Sequence, residues 1–210
     1  MNTNRTSIQK KTKIDKNYYT GNLIIQWLVR RLLKKISSLL QKINAASRLG
    51  LDVGCGEGNI IYYLNNMETI KNLVAVDLNR EKLKFAKKNY PVCTYLNADV
   101  DKLIFKNDSF GYIIATEIFE HLNDPISAMR EIQRVARTGA YLIISVPHEP
   151  FFHWGNLIRG KYWNRGGKTP AHINFWKRFE FKEFLNNYIA IEEEYCFSVF
   201  PWLLFIGRFK

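Results

Sequence analysis

The chain has 210 residues, of which 47% are hydrophobic and 14% aromatic, and it carries a formal net charge of +12. This length and composition predict one globular domain with a sizeable core and exclude an intrinsically disordered protein. The positive charge is compatible with three kinds of partner: a nucleic acid, an acidic substrate or an anionic membrane surface.

The cysteine content and the amino-terminal residues bear on the compartment. Cys55, Cys93 and Cys196 have no metal-ligand spacing, and an odd number cannot pair completely in disulfides. These features predict a reducing, cytoplasmic environment. The first residues are polar and basic, so we expect no secretory signal. No apolar run approaches the ~18 to 20 residues that cross a bilayer, so we expect no transmembrane segment.

The first part of the chain is predicted to be a flexible basic arm, residues 1–17, followed by a single domain over residues 18–210. An amphipathic helix is expected over residues 22–43, because apolar residues recur at three- and four-residue spacing. We expect this helix to pack on the sheet, with a role at a membrane surface as the alternative. Tyr18, Tyr19 and Trp27 are candidates for a lid over a substrate.

A short apolar strand over residues 49–53 runs directly into three alternating glycines, Gly54, Gly56 and Gly58. Glycine has no Cβ, so the backbone can turn sharply and approach a ligand closely, although such a turn also serves a simple tight bend. An apolar run at helical spacing follows, which predicts the ligand crevice of an open α/β sheet. The glycine spacing departs from that of a dinucleotide turn, and Asp52 and Glu57 suit a cationic ligand better than a pyrophosphate. A dinucleotide-binding dehydrogenase is the alternative.

The following elements continue a strand and helix alternation. A second strand, residues 72–77, ends in Asp77, at about 20 residues from the glycine turn, where a carboxylate can accept the hydroxyls of a ribose. Helices are predicted over residues 79–89, from Asp124-Pro125 to Thr138, and over residues 177–187. Strands are predicted over residues 92–96, 110–115, 140–146, 189–200 and 202–209. The last two strands are expected to form a closing antiparallel hairpin.

Residues 147–176 interrupt this alternation. They are rich in glycine, proline and aromatic residues, and they are much longer than a usual connection. We predict that they form a substrate-binding insertion.

Four segments carry a family resemblance: Leu51 to Gly58, Val76-Asp77, Asn97 to Val100, and Phe110 to Glu117. In this order they resemble the successive cofactor motifs of class I S-adenosylmethionine-dependent methyltransferases. The resemblance covers roughly residues 20–210 and implies an α/β fold with a Rossmann-like, doubly wound, seven-stranded sheet, mostly parallel. It also implies S-adenosylmethionine as the cofactor, contacted by Asp52, Gly54, Cys55, Gly56, Asp77, Leu78, Asp99, Val100, Thr116 and Glu117.

The segment from Glu117 to Leu122 resembles one in ubiquinone-pathway O-methyltransferases, and the aromatic insertion suits an apolar acceptor. The predicted function is therefore O-methylation of a small-molecule or lipid-linked acceptor. An RNA methyltransferase and a non-catalytic adenosylmethionine-binding module are the alternatives. His121 is the candidate catalytic base, and a purely structural hydrogen bond is its alternative role. The candidate acceptor-binding residues are Tyr19, His148, His153, His172 and Trp176.

A divalent metal site is a further hypothesis. Glu117, Glu120 and His121 form an E-x-x-E-H set, and His172 lies in the insertion expected to fold over the same crevice. The set is similar to metal sites of small-RNA 2′-O-methyltransferases and of some ubiquinone-pathway enzymes, and two carboxylates with two imidazoles suit a borderline metal. In the alternative, these side chains only brace the fold, because many relatives with a similar string need no metal. S-adenosylmethionine is thus the expected cofactor, whereas a divalent metal is possible but not expected.

Overall fold

The fold is described from a computed structural model, which covers residues 23–149, 151–158, 160–196 and 202–210. The strands are β1 (Leu49–Val53), β2 (Asn72–Asp77), β3 (Thr94–Asn97), β4 (Phe110–Thr116), β5 (Ala136–Pro147), β6 (Ile189–Tyr195) and β7 (Trp202–Phe209). They form one seven-stranded sheet in the order β3-β2-β1-β4-β5-β7-β6. Strands β1 to β5 pair in parallel, whereas β7 runs antiparallel to both β5 and β6. The predicted mostly parallel sheet with a closing antiparallel hairpin is confirmed.

The described α-helices are α1 (Leu23–Lys42), α2 (Asn59–Asn66), α3 (Arg80–Asn89), α4 (Pro125–Val135), α5 (Phe151–Ile158) and α6 (Arg178–Asn186). Short 3₁₀ helices lie at Ala45–Ser47, Phe119–His121 and Trp163–Arg165. Helix α3 begins where the Asn79 side chain accepts hydrogen bonds from two backbone N–H groups of the first turn. Helix α4 begins in the same way at Asp124, with proline as its first residue. Within the described residues, none of these helices has both the length and the apolar character of a membrane span.

Two apolar layers cover the two faces of the sheet. Helices α1 and α2 bury Ile36, Leu40 and Leu64 in one layer, together with side chains of β4, β5 and β7. Helices α4 and α6 bury side chains such as Met129 and Phe181 in the other layer. Each fully buried Leu, Ile or Phe contributes about 1.5 to 3 kcal/mol, so these layers hold the helices in place. The predicted packing of the leading helix on the sheet is thus observed.

The sheet topology fixes where a ligand crevice lies. Strand β1 pairs with β2 on one side and with β4 on the other. The chain order therefore reverses beside β1, and the loops that follow the carboxyl ends of β1 and β4 diverge there. This is the topological switch point, where ligands of open α/β sheets bind.

Some boundaries differ from the sequence expectation. Helix α4 ends at Val135 rather than near Thr138, because Ala136 already pairs with Phe110 of β4 before an irregularity in the register. Strand β3 begins at Thr94, which pairs with Val74 of β2. The insertion over residues 147–176 is not an irregular loop, since it contains α5 and a 3₁₀ helix.

Candidate cofactor and acceptor site

The glycine turn after β1 has the left-handed conformation that glycine favours. Gly54, Gly56 and Gly58 have φ angles of 73°, 55° and 80°. A Cβ on Gly54 would lie 2.5 Å from Cδ1 of Ile118, and one on Gly58 would lie 3.1 Å from Cβ of Ala86, so both positions are closed by packing. A Cβ on Gly56 would meet no atom within 4 Å. Gly56 therefore presents its backbone to open space, as a ligand cradle requires.

Asp77, at the end of β2, ties the turn to the neighbouring strand. Its Oδ2 accepts a hydrogen bond from the Gly56 N–H at 2.8 Å, and its Oδ1 accepts one from the Asn79 N–H at 2.7 Å. A carboxylate has about four acceptor sites, so each oxygen can accept one more hydrogen bond. Asp77 is thus positioned beside the open face of the turn with acceptors left for a ribose. Leu78 follows it with 67% of its surface exposed, available for an apolar contact.

Two acidic side chains, those of Asp52 and Glu57, flank the glycine turn. Asp52 is 2% exposed, and burial together with the negative charge of Asp77 raises its pKa to about 8. The Asp52 carboxyl is therefore mostly protonated at neutral pH, and a nearby cationic group would favour its ionised form. The Oε2 atom of Glu57 is buried without a hydrogen-bond partner in the described residues. The unpaired oxygen of Glu57 and the Asp52 carboxyl group, which a cation would ionise, fit a ligand that carries an ammonium or sulfonium group.

Cys55 and the end of β3 contribute less to the chemistry. Burial, followed by the charges of Asp52 and Asp77, raises the pKa of the Cys55 thiol, so it stays protonated and is no nucleophile. Asp99 is exposed, and its Oδ1 accepts a hydrogen bond from the Asp101 N–H at 3.1 Å. Val100 is 7% exposed and packs in the core. Only the backbone of Val100 is therefore a candidate for contact with a ligand ring.

Glu117 follows β4 and buried Thr116 in a strained position. It is not a glycine, yet its φ is 55°. Its backbone N–H donates to the Ser145 carbonyl at 3.0 Å, and the Trp202 indole N–H donates to its Oε2 at 2.8 Å. Burial raises the pKa of Glu117 to about 7, although the hydrogen bonds from Trp202 and Ser145 oppose this rise. The carboxyl group of Glu117 is therefore held towards β5 and β7.

Three side chains that the sequence linked to a metal meet just beyond this point. One ligand atom from each of Glu120, His121 and His172 lies within 4.8 Å of the others. Glu120 is 1% exposed, its Oε2 has no hydrogen-bond partner in the described residues, and burial raises its pKa well above the usual value. Burial, reinforced by the charges of His121 and His153, lowers the pKa of His172 to about 4, so this imidazole is neutral.

The orientation of His121 is fixed by the insertion. Its Nδ1 lies 2.8 Å from the carbonyl oxygen of Ala171, so Nδ1 carries the proton and donates it to that carbonyl. The Nε2 atom consequently has a free lone pair, and it lies 3.8 Å from Oε1 of Glu120. The His121 side chain is 40% exposed, so Nε2 can meet a molecule that enters the crevice.

Asn174 anchors the insertion over the crevice. The N–H groups of Ile173 and Asn174 donate to the Glu120 carbonyl at 2.9 and 3.1 Å. The Asn174 side-chain amide donates to the carbonyls of Phe119 and Leu122 at 3.0 and 2.7 Å. These bonds bring His172 beside the 3₁₀ helix. No feature of the sequence distinguishes Asn174 from the other asparagines of the chain.

The other candidate acceptor residues have different surroundings. His148 is 7% exposed, and its Nδ1 lies 3.6 Å from the Cys196 sulfur. His153 places Nε2 at 2.9 Å from Oε1 of Glu149, in a contact that is not aligned as a hydrogen bond. Trp176 packs on the rings of α6, with centroid distances of 4.9 Å to Phe181 and 5.4 Å to Phe184, and so serves the core.

Two sequence-predicted residues of the lid, Tyr18 and Tyr19, lie outside the described residues. Trp27, the third, is described and is 56% exposed on α1.

The four histidines of the chain lie in or beside the insertion, whereas the cofactor candidates line the turn after β1 and the ends of β2 to β4.

Comparisons with known proteins bear on this arrangement. Residues 51–144 match the family model of a methyltransferase domain. A probable S-adenosylmethionine-dependent methyltransferase of Mycobacterium tuberculosis is 27% identical over 106 residues, which are 50% of this chain and 38% of that protein. The malonyl-[acyl-carrier protein] O-methyltransferase of Halalkalibacterium halodurans is 21% identical over 148 residues, which are 67% of this chain and 55% of that protein. The matched stretches thus span only about half or less of these relatives.

Among solved structures, the methyltransferase domain of a bacterial Hen1 protein superposes with a TM-score of 0.69 at 19% identity, covering 86% of this chain and 99% of that one. At this level of identity the likeness concerns the fold.

Proposed function

We propose that the protein methylates an oxygen atom of a small-molecule or lipid-linked acceptor, because residues 51–144 match the model of a methyltransferase domain and a similar protein is a probable S-adenosylmethionine-dependent methyltransferase. S-adenosylmethionine supplies an electrophilic methyl group when it is bound. Three groups fit this cofactor: the open backbone of Gly56, the remaining acceptor sites of Asp77, and the Asp52 carboxyl group with its raised pKa. The acceptor would enter on the side of the insertion.

One observation carries the proposal for an oxygen acceptor: the grouping of Glu120, His121 and His172 beyond the carboxyl end of β4. Methyl transfer is an in-line displacement, so the protein mainly has to hold the acceptor close and aligned. An oxygen nucleophile also has to lose its proton, and Nε2 of His121 has a free lone pair for it because Nδ1 donates to Ala171. The half-exposed His121 ring is the part of the group that a substrate could reach.

The same three side chains are also a donor set for a divalent metal. Two imidazole nitrogens and one carboxylate oxygen suit a borderline ion such as zinc. A metal there would orient oxygen atoms of the acceptor and lower the pKa of a bound hydroxyl. Glu117 was predicted as a further ligand, but its carboxyl group is held by Trp202 and Ser145 and would have to give up these bonds. We therefore propose the set without Glu117.

The roles of His121 as a base and as a metal ligand exclude each other, because both use the lone pair of Nε2. This makes the proposal testable. Labelled-methyl transfer would be screened across quinol precursors, sugar-lipid intermediates and RNA, before and after treatment with EDTA. Loss of activity in EDTA, with recovery on adding zinc, manganese or magnesium, supports the metal set. Full activity in EDTA leaves His121 as the base and contradicts the metal.

Metal content gives a second readout that does not depend on turnover. The His172→Ala variant should bind less metal than the wild type in elemental analysis, because it removes one of three ligands. The matched control is His153→Asn, which alters a neighbouring histidine outside the set. Equal metal content in both variants would argue against the three-residue site.

The alternative acceptor is RNA, and the basic outer face of α3 favours it. The exposed basic residues of this helix, which begins three residues after Asp77, are Arg80, Lys82, Lys84, Lys87 and Lys88. RNA binding would weaken steeply with salt because it releases counterions, whereas binding of a neutral small acceptor would not. A filter-binding titration with salt therefore separates the two acceptors. Transfer to any acceptor argues against a module that only binds adenosylmethionine.

A further inference from the structure

The solvent face of α1 has an unusual composition at its amino-terminal end. Leu23, Ile24 and Trp27 are 82%, 67% and 56% exposed, although each is large and apolar. The buried face of the same helix uses other residues, among them Leu32 and Ile36. The exposed apolar side chains are therefore not the edge of the core. We call them the apolar tip of α1.

A basic strip continues along the same face towards the carboxyl end of the helix. It consists of Arg30, Arg31, Lys34 and Lys35. With 100° per residue, these positions fall on the same side of the helix as the apolar tip. Within the described part of the chain, neither Arg30 nor Lys34 forms an ion pair. Lys35 instead lies over the ring of Tyr195 of β6, with Nζ at 3.9 Å from the ring centroid.

A cavity opens where the basic strip meets the sheet. It has a volume of about 310 Å³, and it is lined by Arg31, Leu32, Lys34, Lys35, Ser38, Tyr195 and Leu204. Three of the lining residues are cations and none is acidic, whereas the Tyr195 hydroxyl donates to the Glu193 carboxylate nearby. Such a lining suits a phosphate group, which accepts several charged hydrogen bonds at once.

From this arrangement we propose that the outer face of α1 docks on an anionic membrane surface. The apolar tip enters the interfacial region, where Trp and aliphatic side chains are favoured, and the basic strip contacts lipid phosphates. The cavity beside Tyr195 receives one such phosphate. An RNA partner would use the cations, but it would give Leu23 and Ile24 no apolar environment. The combination of tip and strip therefore favours the membrane surface over a nucleic acid.

The docking face is connected to the carboxyl end of β4 through strand β7. Leu204, which lines the cavity, is two residues from Trp202 on β7, and both side chains belong to the same apolar layer. Two residues of a strand span about 7 Å. Trp202 also donates to Glu117 at the carboxyl end of β4. Docking through α1 would thus bring the apolar layer that contains Trp202 next to the lipid surface.

Co-sedimentation of the full chain with vesicles tests the proposal without methyl donor or acceptor, so the result is independent of the proposed methyl transfer. Vesicles of pure phosphatidylcholine are compared with vesicles containing phosphatidylglycerol, at low and high salt. Each cation near such a surface contributes about 1 kcal/mol, so the Arg30→Gln/Lys34→Gln variant should bind anionic vesicles roughly 30-fold more weakly. The charge-matched control is Lys87→Gln/Lys88→Gln on α3, which should bind like the wild type.

A second variant probes the apolar tip. Trp27→Ala should also weaken binding to anionic vesicles, whereas it leaves the charge unchanged. Thermal unfolding checks that the variants remain folded, which is expected because the altered side chains are exposed. Equal recovery with neutral and anionic vesicles, or equal binding by the α1 and α3 double variants, overturns the proposal. It is also overturned if single-stranded RNA displaces the protein and Trp27→Ala binds vesicles as the wild type does, because the face is then a nucleic-acid site.

Discussion

Replacing Asp77 by alanine should weaken the binding of S-adenosylhomocysteine without unfolding the protein. The Asp77 carboxylate accepts the Gly56 and Asn79 N–H groups at 2.8 and 2.7 Å, and its remaining acceptor sites face the open side of the glycine turn. The variant removes the acceptor for the ribose hydroxyls and also frees the Gly56 N–H. The Asn79 N–H is exposed, so water can replace its lost partner.

The magnitude follows from these contacts. Hydrogen bonds to a charged group contribute about 1.5 to 3 kcal/mol, and the loss of the ribose contacts should cost an amount in this range. This corresponds to roughly a ten- to 150-fold weaker affinity. The loosened Gly56 turn adds to the loss. An Asp77→Asn variant keeps one acceptor oxygen, so its affinity should lie between those of the wild type and Asp77→Ala.

Isothermal titration calorimetry with S-adenosylhomocysteine measures this effect and requires no acceptor. Asn79→Ala is the matched control, because the Asn79 side chain caps α3 through the N–H groups of Glu81 and Lys82. This control should lose about 1 kcal/mol of unfolding free energy and keep its affinity. If the affinity of Asp77→Ala for S-adenosylhomocysteine lies within about two-fold of the wild-type affinity, the reasoning is refuted, because Asp77 then makes no ribose contact that contributes about 1.5 kcal/mol or more.

Two further predictions concern the glycine turn and the insertion. Gly54→Ala should destabilise the fold more than Gly56→Ala, because its Cβ would collide with Ile118 whereas that of Gly56 meets open space. Gly56→Ala should instead lower the affinity for the cofactor. Thermal unfolding and a cofactor titration are measured for both variants, and equal losses of stability and of affinity in the two would contradict the role of Gly56 as a ligand cradle. Burial raises the pKa of Glu149 from 4.5 to about 7, so ionised Glu149 increasingly destabilises the fold as the pH rises through this window. Glu149→Gln should therefore gain stability relative to the wild type, by up to about 3 kcal/mol at pH 8 and by little at pH 4.5, in chemical denaturation. A pH-independent difference between the two proteins would show that Glu149 does not titrate in this way.

Local signals in the sequence predicted most of the elements. The alternating glycines, the apolar strands and the helix caps at Asn79 and Asp124 act over a few residues, so they can be read directly. Boundaries that depend on pairing were less accurate. Strand β5 begins at Ala136 because this residue pairs with Phe110, and no local pattern marks such a partner.

The candidate site was predictable only where it depends on short motifs. The E-x-x-E-H string drew attention to Glu120 and His121, and the structure brings His172 beside them. That Glu117 turns towards Trp202 could not be foreseen, since these residues are 85 positions apart. The anchoring by Asn174 depends on carbonyl groups exposed by a 3₁₀ helix, which a sequence does not reveal. The assignment of the cofactor and acceptor residues stays a prediction until variants are measured.

The hydrogen bond between Glu117 and Trp202 has a consequence for the stage of protein synthesis at which the binding crevice can form. Strand β7, which carries Trp202, follows β6 in the chain but enters the sheet between β5 and β6. A nascent chain that has emerged only as far as β5 lacks the indole that holds Glu117, and it also lacks the β7 side chains that pack in both apolar layers. Since domains generally fold as units, the crevice should form only after β7 has emerged and entered the sheet. A ribosome-bound chain stalled before β7 should therefore bind neither the methyl donor nor an acceptor.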